Sequence, residues 1–279
     1  MRAPWRLRWA GHLGLRGPDQ PLFRHLAGSG DPVVQIAFLA QLGFAGVSDI
    51  GFAVRAPEQQ RGIVSALSEC GLSFASLTHD PAHWAEPTWS VEPSARADLA
   101  EAVAVTIEAA ARVRAHAVTC VTAFDPTRPR EAQLDAFTAN LVHFAGQAAA
   151  AGVVFCVEAT AASMFPGMLV NRFSTAVAIV RRVNHPAVRL TFDSGHIAQD
   201  GDDVLAAFAD NVDMIGAVQL CDAPGRIDPG AGRIPWPALM RAIGESGYAG
   251  LIEAEQVAMD DSAGGERALI ERLRAIDRL

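Results

Sequence analysis

The chain has 279 residues, half of them hydrophobic, a length that suits one large α/β domain better than two ordinary ones. Its formal net charge of −8 argues against binding to a nucleic-acid backbone, because that function needs a basic face. All 23 basic residues are arginine, and without a lysine amine the chain cannot perform Schiff-base chemistry. No run of about 20 apolar residues is present, so no membrane span is predicted.

Four cysteines are spread along the chain without a CxxC pair, namely Cys70, Cys120, Cys156 and Cys221. This spacing favours reduced, mostly buried thiols over disulfides or a structural zinc site. The first 15 residues are basic but lack the apolar segment of a signal peptide. We therefore expect a cytoplasmic protein.

Short apolar runs alternate with longer helical patterns along the whole chain. The apolar runs predict eight buried strands, at residues 7–13, 46–49, 73–77, 117–122, 153–158, 188–192, 214–220 and 250–255. The helical patterns lie near residues 32–42, 57–70, 94–114, 131–151, 173–184, 202–210, 236–246 and 264–278. Eight strand–helix units without a change of composition predict a single-domain α/β fold, a (β/α)₈ TIM barrel over residues 1–279.

Individual residues support these boundaries. Gly43 and Gly71 follow helical patterns and precede strands, as helix-ending glycines do. Pro57 stands where the second helix should begin. The longest loops, 78–94 and 159–172, both follow strands. Because the loops after the strands form the catalytic face of this fold, these two are predicted to cover the active site.

Acidic residues end three of the later strands. These are Glu158, Asp193 and Glu255, and Gln219 occupies the same relative place on the seventh strand. A buried carboxylate is costly unless a cation or hydrogen bonds compensate it. Any one of these residues could be a helix cap or an ion-pair partner, but together at one barrel mouth they would repel each other. We therefore predict one divalent metal ion at these four positions, with Mn²⁺ or Mg²⁺ favoured by the oxygen ligands.

Glu253 competes with Glu255 for the last ligand position. The two residues are two apart on one strand, so their side chains point to the same side. Glu255 lies closer to the carboxyl end of the strand, where such sites form, and it is the predicted ligand.

A histidine and an arginine follow the predicted ligands. His196 comes three residues after Asp193, on a predicted strand-to-loop turn, where both side chains could reach one pocket. Its imidazole could donate a hydrogen bond to a substrate oxygen near neutral pH. Arg226 lies in a Gly/Pro-rich loop after the seventh strand and could bind a carboxylate or hydroxyl groups, although a solvated loop arginine would look the same.

Polar and aromatic residues near the ends of the first three strands could also line the pocket. They are His12, Asp49, His79, Asp80, His83 and Trp84. His79 is taken with His196 and Arg226 as a substrate-binding residue.

The chain resembles the xylose-isomerase-like barrel superfamily of sugar isomerases and epimerases over nearly its whole length, most specifically in its second half. The resemblance is carried by Gln219, Arg226, Pro229, Gly232, the Trp236–Pro237 pair, the segment Gly247 to Gly250, and Glu255. Glutamine at the third ligand position is similar to the hydroxypyruvate isomerase branch, whereas ketose 3-epimerases usually have histidine there. The DTFH motif of the family appears as Asp193-Ser194-Gly195-His196, a departure that leaves the substrate open.

The resemblance implies roles for the site residues. Glu158 and Glu255 would be metal ligands and also the acid/base pair, while Asp193 and Gln219 would be ligands only. The implied reaction moves a proton between neighbouring carbons of a small hydroxy-carbonyl substrate through an enediolate.

Other activities on the same barrel remain open. A keto-sugar epimerase or an inosose-type dehydratase would keep the metal and change the fate of the proton. The DNA-repair endonuclease branch would need more histidine ligands and a basic groove, and a non-catalytic barrel subunit would need no metal. The apolar residues of the two long loops could contact a second copy of the chain, so a homo-oligomer is a further alternative.

Overall fold

The computed structural model describes residues 5–15 and 17–279; residues 1–4 and 16 of the predicted domain lie outside this range. Nine parallel strands form within the described residues: β1 (Trp9–His12), β2 (Gly46–Ser48), β3 (Ser73–Phe74), β4 (Ser76–Thr78), β5 (Ala117–Cys120), β6 (Phe155–Val157), β7 (Val188–Asp193), β8 (Ile215–Leu220) and β9 (Ile252–Ala254). The α-helices are α1 (Arg24–Ala27), α2 (Pro32–Leu42), α3 (Pro57–Cys70), α4 (Ala97–Val113), α5 (Arg130–Ala150), α6 (Phe173–Val183), α7 (Ser194–Gln199), α8 (Val204–Ala209), α9 (Trp236–Glu245) and α10 (Ala263–Asp277).

The strands form one sheet in the order β3-β2-β1-β9-β8-β7-β6-β5-β4. Strands β3 and β4 are two parts of one barrel strand, interrupted at Ala75. The Ala75 N–H donates to the Val47 carbonyl at 2.7 Å, and the Ala75 carbonyl accepts the Ala117 N–H at 3.0 Å. Ala75 therefore joins the two ends of the sheet, and the predicted (β/α)₈ barrel is confirmed.

Helix boundaries follow local signals. The Asp31 side chain caps α2 by accepting the Val33 N–H at 2.8 Å, and Pro32 is the first helical residue. Gly43 ends the same helix with a φ of 84°, which a residue with a side chain rarely adopts. Most predicted helices and strands agree with the structure to within three residues.

One prediction about local structure is wrong. The predicted strand-to-loop turn after Asp193 is the start of helix α7, because the Asp193 side chain accepts the His196 N–H and caps that helix.

Buried residues on or beside the strands, with mostly small side chains, form two clusters separate from the main core. The clusters are Ala10 with Ala75 and Leu251, and Ala117 with Cys156 and Ala217. The large apolar side chains instead pack between the barrel and the surrounding helices. In this outer layer Trp89 is fully buried, with its ring 5.5 Å from that of Phe155 on β6. Trp89 therefore anchors the 78–94 loop to the barrel wall.

The structure agrees with the expectations of buried, reduced cysteines and of no membrane-spanning helix. Cys120, Cys156 and Cys221 are buried, Cys70 is half-buried, and all four are free thiols. Within residues 5–15 and 17–279, no helix combines the length and apolarity needed to cross a membrane.

Candidate active site

A cavity of about 600 Å³ opens at the carboxyl ends of the strands. It is bounded below by polar side chains from the strand ends and above by the loops that follow the strands. The polar lining consists of Thr78, Glu158, Thr160, His196, Arg226 and Glu255. Four of the predicted site residues are therefore brought to one cavity.

Glu158 directly follows β6, and its side chain is 12% exposed. One carboxylate oxygen lies 3.6 Å from Nε2 of His196, which is too long for a hydrogen bond. Burial and the nearby charge of Asp193 raise the pKa of the Glu158 carboxyl group. The Glu158 carboxylate therefore reaches the cavity without a close partner among the described residues.

Asp193 is the last residue of β7 and is almost completely buried. One of its oxygens accepts the backbone N–H of His196 at 2.9 Å, and the other accepts Nη1 of Arg226 at 2.7 Å. Burial disfavours ionisation of Asp193, but the charge of Arg226 and the hydrogen bonds outweigh it and lower the pKa of this carboxyl group. Asp193 is therefore a carboxylate at neutral pH.

The hydrogen bonds of His196 define its tautomer. The backbone N–H of Ala161 donates to Nδ1 of His196 at 3.2 Å, so Nδ1 carries no proton. Burial lowers the pKa of the His196 imidazole to about 4, so the ring is neutral near pH 7 and Nε2 holds its proton. Nε2–H lies at the cavity beside Glu158. His196 is therefore suited to donate a hydrogen bond, and a metal would need an Nε2 without a proton.

Arg226 lies between the carboxylates and adopts a left-handed backbone conformation, with φ of 58°. Besides its hydrogen bond to Asp193, its Nη2 lies 3.2 Å from Oε1 of Glu255. Its side chain is 11% exposed, so the interpretation as a solvated loop arginine is excluded. Burial would lower the pKa of the guanidinium, but Asp193 and the other acidic neighbours raise it, and Arg226 remains charged.

Asp222 organises the loop that carries Arg226. The Asp222 side chain is fully buried and accepts five N–H groups, from Ala223, Gly230, Gly232, Ile234 and the indole of Trp236. A Cβ on Gly232 would collide with this carboxylate, so the close approach requires glycine. Sequence analysis missed Asp222, although an aspartate directly after a strand and before a Gly-rich loop is a usable signal.

Gln219 lies on β8 beside Asp193 on β7 and Glu253 on β9. Its Oε1 is buried and has no hydrogen-bond partner among the described residues. Glu253 accepts the Ser76 hydroxyl at 2.6 Å, and burial raises the pKa of Glu253 to about 7. Glu255, two residues further on, lines the cavity, whereas Glu253 lies in the layer below.

The residues present suit a divalent metal ion. Glu158, Asp193 and His196 offer donor atoms that all lie within 4.8 Å of one another. The unpartnered Oε1 of Gln219 is a further oxygen donor, and an unsatisfied buried oxygen is costly without a ligand. Since Nε2 of His196 is protonated, the oxygen atoms of the two acidic residues and of Gln219 are the better ligands, and these favour a hard cation.

Three residues predicted near the pocket have other surroundings. His79 does not line the cavity: its Nδ1 lies 3.0 Å from the Thr106 hydroxyl on α4, and its ring lies 4.8 Å from that of Trp89. This corrects the expectation of substrate contact, because Thr78 faces inward and the next residue along the strand faces outward.

Asp49 and His12 are likewise held by the protein. Asp49 is completely buried in an ion pair with Arg55. His12 directs Nε2 to the Gln256 carbonyl at 2.8 Å.

Three proteins related to this chain are named as isomerases or epimerases. A 2-oxo-tetronate isomerase of Cupriavidus necator is 27% identical over 188 residues, which is 66% of this chain and 72% of that protein. A Streptomyces coelicolor protein named provisionally as a hydroxypyruvate isomerase is 31% identical over 126 residues, 44% of this chain and 45% of that protein. A D-psicose 3-epimerase of Ruminiclostridium cellulolyticum is 30% identical over 108 residues, 39% of this chain and 36% of that protein.

Solved structures share the fold. A family 2 AP endonuclease from Brucella melitensis superposes with a TM-score of 0.76 at 21% identity, covering 93% of this chain and 96% of that one. A 3-keto-D-glucoside 4-epimerase from E. coli also superposes with a TM-score of 0.76, at 18% identity, covering 96% of this chain and 99% of that one. The sequence profile of one family matches residues 36–278. The chain therefore belongs to the xylose isomerase-like TIM barrel family.

Proposed function

We propose that this protein is a divalent-metal-dependent isomerase that interconverts a small hydroxy-aldehyde and a hydroxy-ketone, in the manner of hydroxypyruvate isomerase. The observation that carries the proposal is the pair of buried carboxyl groups of Glu158 and Glu255. They enter one cavity from β6 and β9, and neither forms a hydrogen bond with the described residues. Acidic residues whose pKa is raised by burial and that line a cavity are typical of catalytic sites.

The proposed reaction is R–CHOH–CHO ⇌ R–CO–CH₂OH. The hydroxyl-bearing carbon loses its proton and the former aldehyde carbon gains one, while the hydroxyl proton moves from the first oxygen to the former aldehyde oxygen. The atoms therefore balance without an oxidant. The enediolate between the two forms is negatively charged and needs stabilisation. Glu158 and Glu255 would accept and return the proton, since both residues line the cavity in which the substrate would bind.

Two further residues would hold the substrate. Nε2–H of His196 would donate to a substrate oxygen, because no closer acceptor than Glu158 at 3.6 Å engages it. The guanidinium of Arg226, already paired with Asp193 and Glu255, would place positive charge beside the developing oxyanion.

A divalent ion would supply Lewis-acid polarisation of the substrate oxygens when bound by Glu158, Asp193, Gln219 and Glu255. The unpartnered Oε1 of Gln219 and the similarity to a 2-oxo-tetronate isomerase and a provisional hydroxypyruvate isomerase support this assignment.

Deuterium labelling tests the proposal. The protein, treated with chelator and then supplied with Mn²⁺, is incubated with hydroxypyruvate or 2-oxo-tetronate in D₂O and followed by NMR. We expect a product with a relocated carbonyl and deuterium on the neighbouring carbon, only when the metal is present. The CH₂OH carbon of hydroxypyruvate is not a stereocentre, so 2-oxo-tetronate is the probe for epimerisation. Deuterium returned to its carbon 3 with inverted configuration would favour an epimerase, which the D-psicose 3-epimerase relative makes the second candidate. No exchange, together with no bound metal, would favour a non-catalytic barrel.

A further inference from the structure

The candidate cavity is chemically divided. The polar residues lie at the strand ends, whereas the loops above them contribute apolar side chains. We call this apolar part the loop wall and define it by Ile50, Val54, Trp84, Val121, Met164 and Phe165. The reaction proposed above requires only a hydroxy-carbonyl unit at the polar end, so the loop wall faces whatever the substrate carries beyond it.

The loop wall is built without a ligand. The rings of Trp84 and Phe165 meet edge to face at 5.4 Å, although they come from the two long loops predicted to cover the site. Both pack against a buried cluster of Val121, Ala123 and Met168. An apolar surface held in this way is preorganised, so a ligand gains from burying it without ordering it first.

Backbone hydrogen bonds join the same loops. The Ala123 N–H donates to the Glu86 carbonyl at 3.0 Å, and the Phe124 N–H donates to the Gly167 carbonyl at 2.7 Å. The segment after β5 thus connects the loop carrying Trp84 to the loop carrying Phe165.

The size of the cavity also exceeds what the reaction needs. A volume of about 600 Å³ lies in the range that holds ligands much larger than a three-carbon acid. A three-carbon substrate would leave the loop wall against water, while a long polyhydroxylated chain would bring hydroxyl groups against side chains that offer few hydrogen bonds. An apolar group would instead be removed from water by the same surface.

We propose that the preferred substrate is a hydroxy-carbonyl compound whose group R, remote from the reacting carbons, is an alkyl chain or an aromatic ring. Trp84 and Phe165 are then the residues that determine specificity. This inference rests on the proposed isomerase function and adds the chemical class of R. Phe165 also lies 5.6 Å from the His196 ring, so it marks the boundary between the polar end and the loop wall.

Three hydroxy-ketones of the form R–CO–CH₂OH test the inference. They are hydroxypyruvate, with R a carboxylate; dihydroxyacetone, with R a hydroxymethyl group; and 1-hydroxy-3-phenylpropan-2-one, with R a benzyl group. For the Mn²⁺-loaded protein we expect kcat/KM for the benzyl compound to exceed both others by at least about tenfold, from burial of the ring. W84A and F165A should each reduce the ratio of kcat/KM for the benzyl compound to kcat/KM for dihydroxyacetone roughly tenfold, mainly by raising KM for the benzyl compound.

Phe124 provides a matched control. It is the residue after Ala123 of the buried cluster, but its ring packs against Arg130 and does not line the cavity. F124A should leave the ratio unchanged, and F165L, which retains an apolar side chain, should restore most of it if F165A folds poorly. Isothermal titration calorimetry of the metal-free protein provides a reading that does not depend on turnover. The benzyl compound should bind with a more negative heat capacity change than dihydroxyacetone, and W84A should weaken it.

The two proposals fail in different ways. If hydroxypyruvate or dihydroxyacetone is turned over with a higher kcat/KM than the benzyl compound, the loop-wall inference is overturned while the isomerase stands. If none of the three compounds exchanges a proton, the proposed reaction fails, and calorimetry alone tests the loop-wall inference. No binding of the benzyl compound would overturn that inference. Binding that W84A weakens would support it.

Discussion

Buried carboxylates in this protein fall into two groups with opposite surroundings. Asp222 accepts five N–H groups in the loop after β8, and Asp277 near the C-terminus accepts the N–H groups of Arg6 and Leu7 and the indole N–H of Trp9. Both are satisfied by the protein itself. Carboxylates of this kind hold chain segments together.

Glu158 and Glu255 at the barrel mouth have no such donors among the described residues. Glu158 has His196 at 3.6 Å, and Glu255 has an ion pair with Arg226 at 3.2 Å. Burial raises the pKa of both carboxyl groups. Burial alone therefore does not distinguish the two groups of carboxylates, whereas the number of N–H groups that the fold supplies to each carboxylate does.

The largest expected effect is a loss of activity when a carboxylate at the barrel mouth is replaced. E158Q and E255Q should each lower kcat by about 10³-fold, because an amide cannot exchange the proton, while the thermal unfolding midpoint stays near that of the wild type. Single-turnover kinetics and circular dichroism measure the two quantities. E131Q, the same change at an exposed position on α5, is the control. Full activity in both variants would rule out the proposed acid/base pair.

The next effect is on stability. D222A should lower the free energy of unfolding by about 3 kcal/mol, because five N–H groups lose a charged acceptor in a buried site. Urea denaturation measures it. D213A removes an exposed aspartate and should change stability little. If D222A unfolds at the wild-type urea concentration, Asp222 does not hold the loop as the structure indicates.

A fall in stability of about 2.5 kcal/mol between pH 5 and pH 8 is expected from Glu253, in the layer below the mouth. Burial raises its pKa from 4.5 to about 7, so between these values the folded protein binds a proton that the unfolded chain has lost. The stability contributed by Glu253 is therefore complete below pH 4.5 and is lost as the pH rises through 7.

Burial lowers the pKa values of His12 and His79, and these histidines make the stability rise with pH. The effect of Glu253 is therefore measured as the difference in stability between wild type and a variant. The stability of metal-free wild type relative to E253Q, obtained from denaturation at several pH values, should fall from pH 5 to pH 8. A difference that does not change with pH would show that Glu253 ionises normally in the folded protein.

The smallest effect concerns Gln219. Q219L removes the unpartnered Oε1 by replacing the carboxamide with an apolar group of similar size, and it should weaken Mn²⁺ binding roughly tenfold. Calorimetric titration of the chelator-treated protein measures the affinity without requiring a substrate. Q59L, the same change at an exposed position on α3, serves as the control. Equal affinity of Q219L and wild type would exclude this side chain as a ligand.

Much of the barrel could be predicted from local patterns. Strand and helix periodicity, Gly43 and Pro57 placed most elements within a few residues, because these signals act over one or two turns of chain. Asp193 shows the limit: its place at the end of a strand was predicted, but its role as the cap of α7 depends on the backbone geometry three residues further on. The apolar run 73–77 also predicted one continuous strand and gave no sign of the interruption at Ala75.

The sequence by itself determined the fold class and the chain positions of the acidic residues at the strand ends, since both follow from periodicity and strand length. Only the tertiary structure decided which polar groups share a cavity. His79 faces α4 while Thr78 faces the cavity, a difference set by one residue of register. Asp222 and Glu255 both follow strands, yet one is saturated with hydrogen bonds and the other is not, because the loops that surround them bring N–H groups to one and leave the other beside a single arginine.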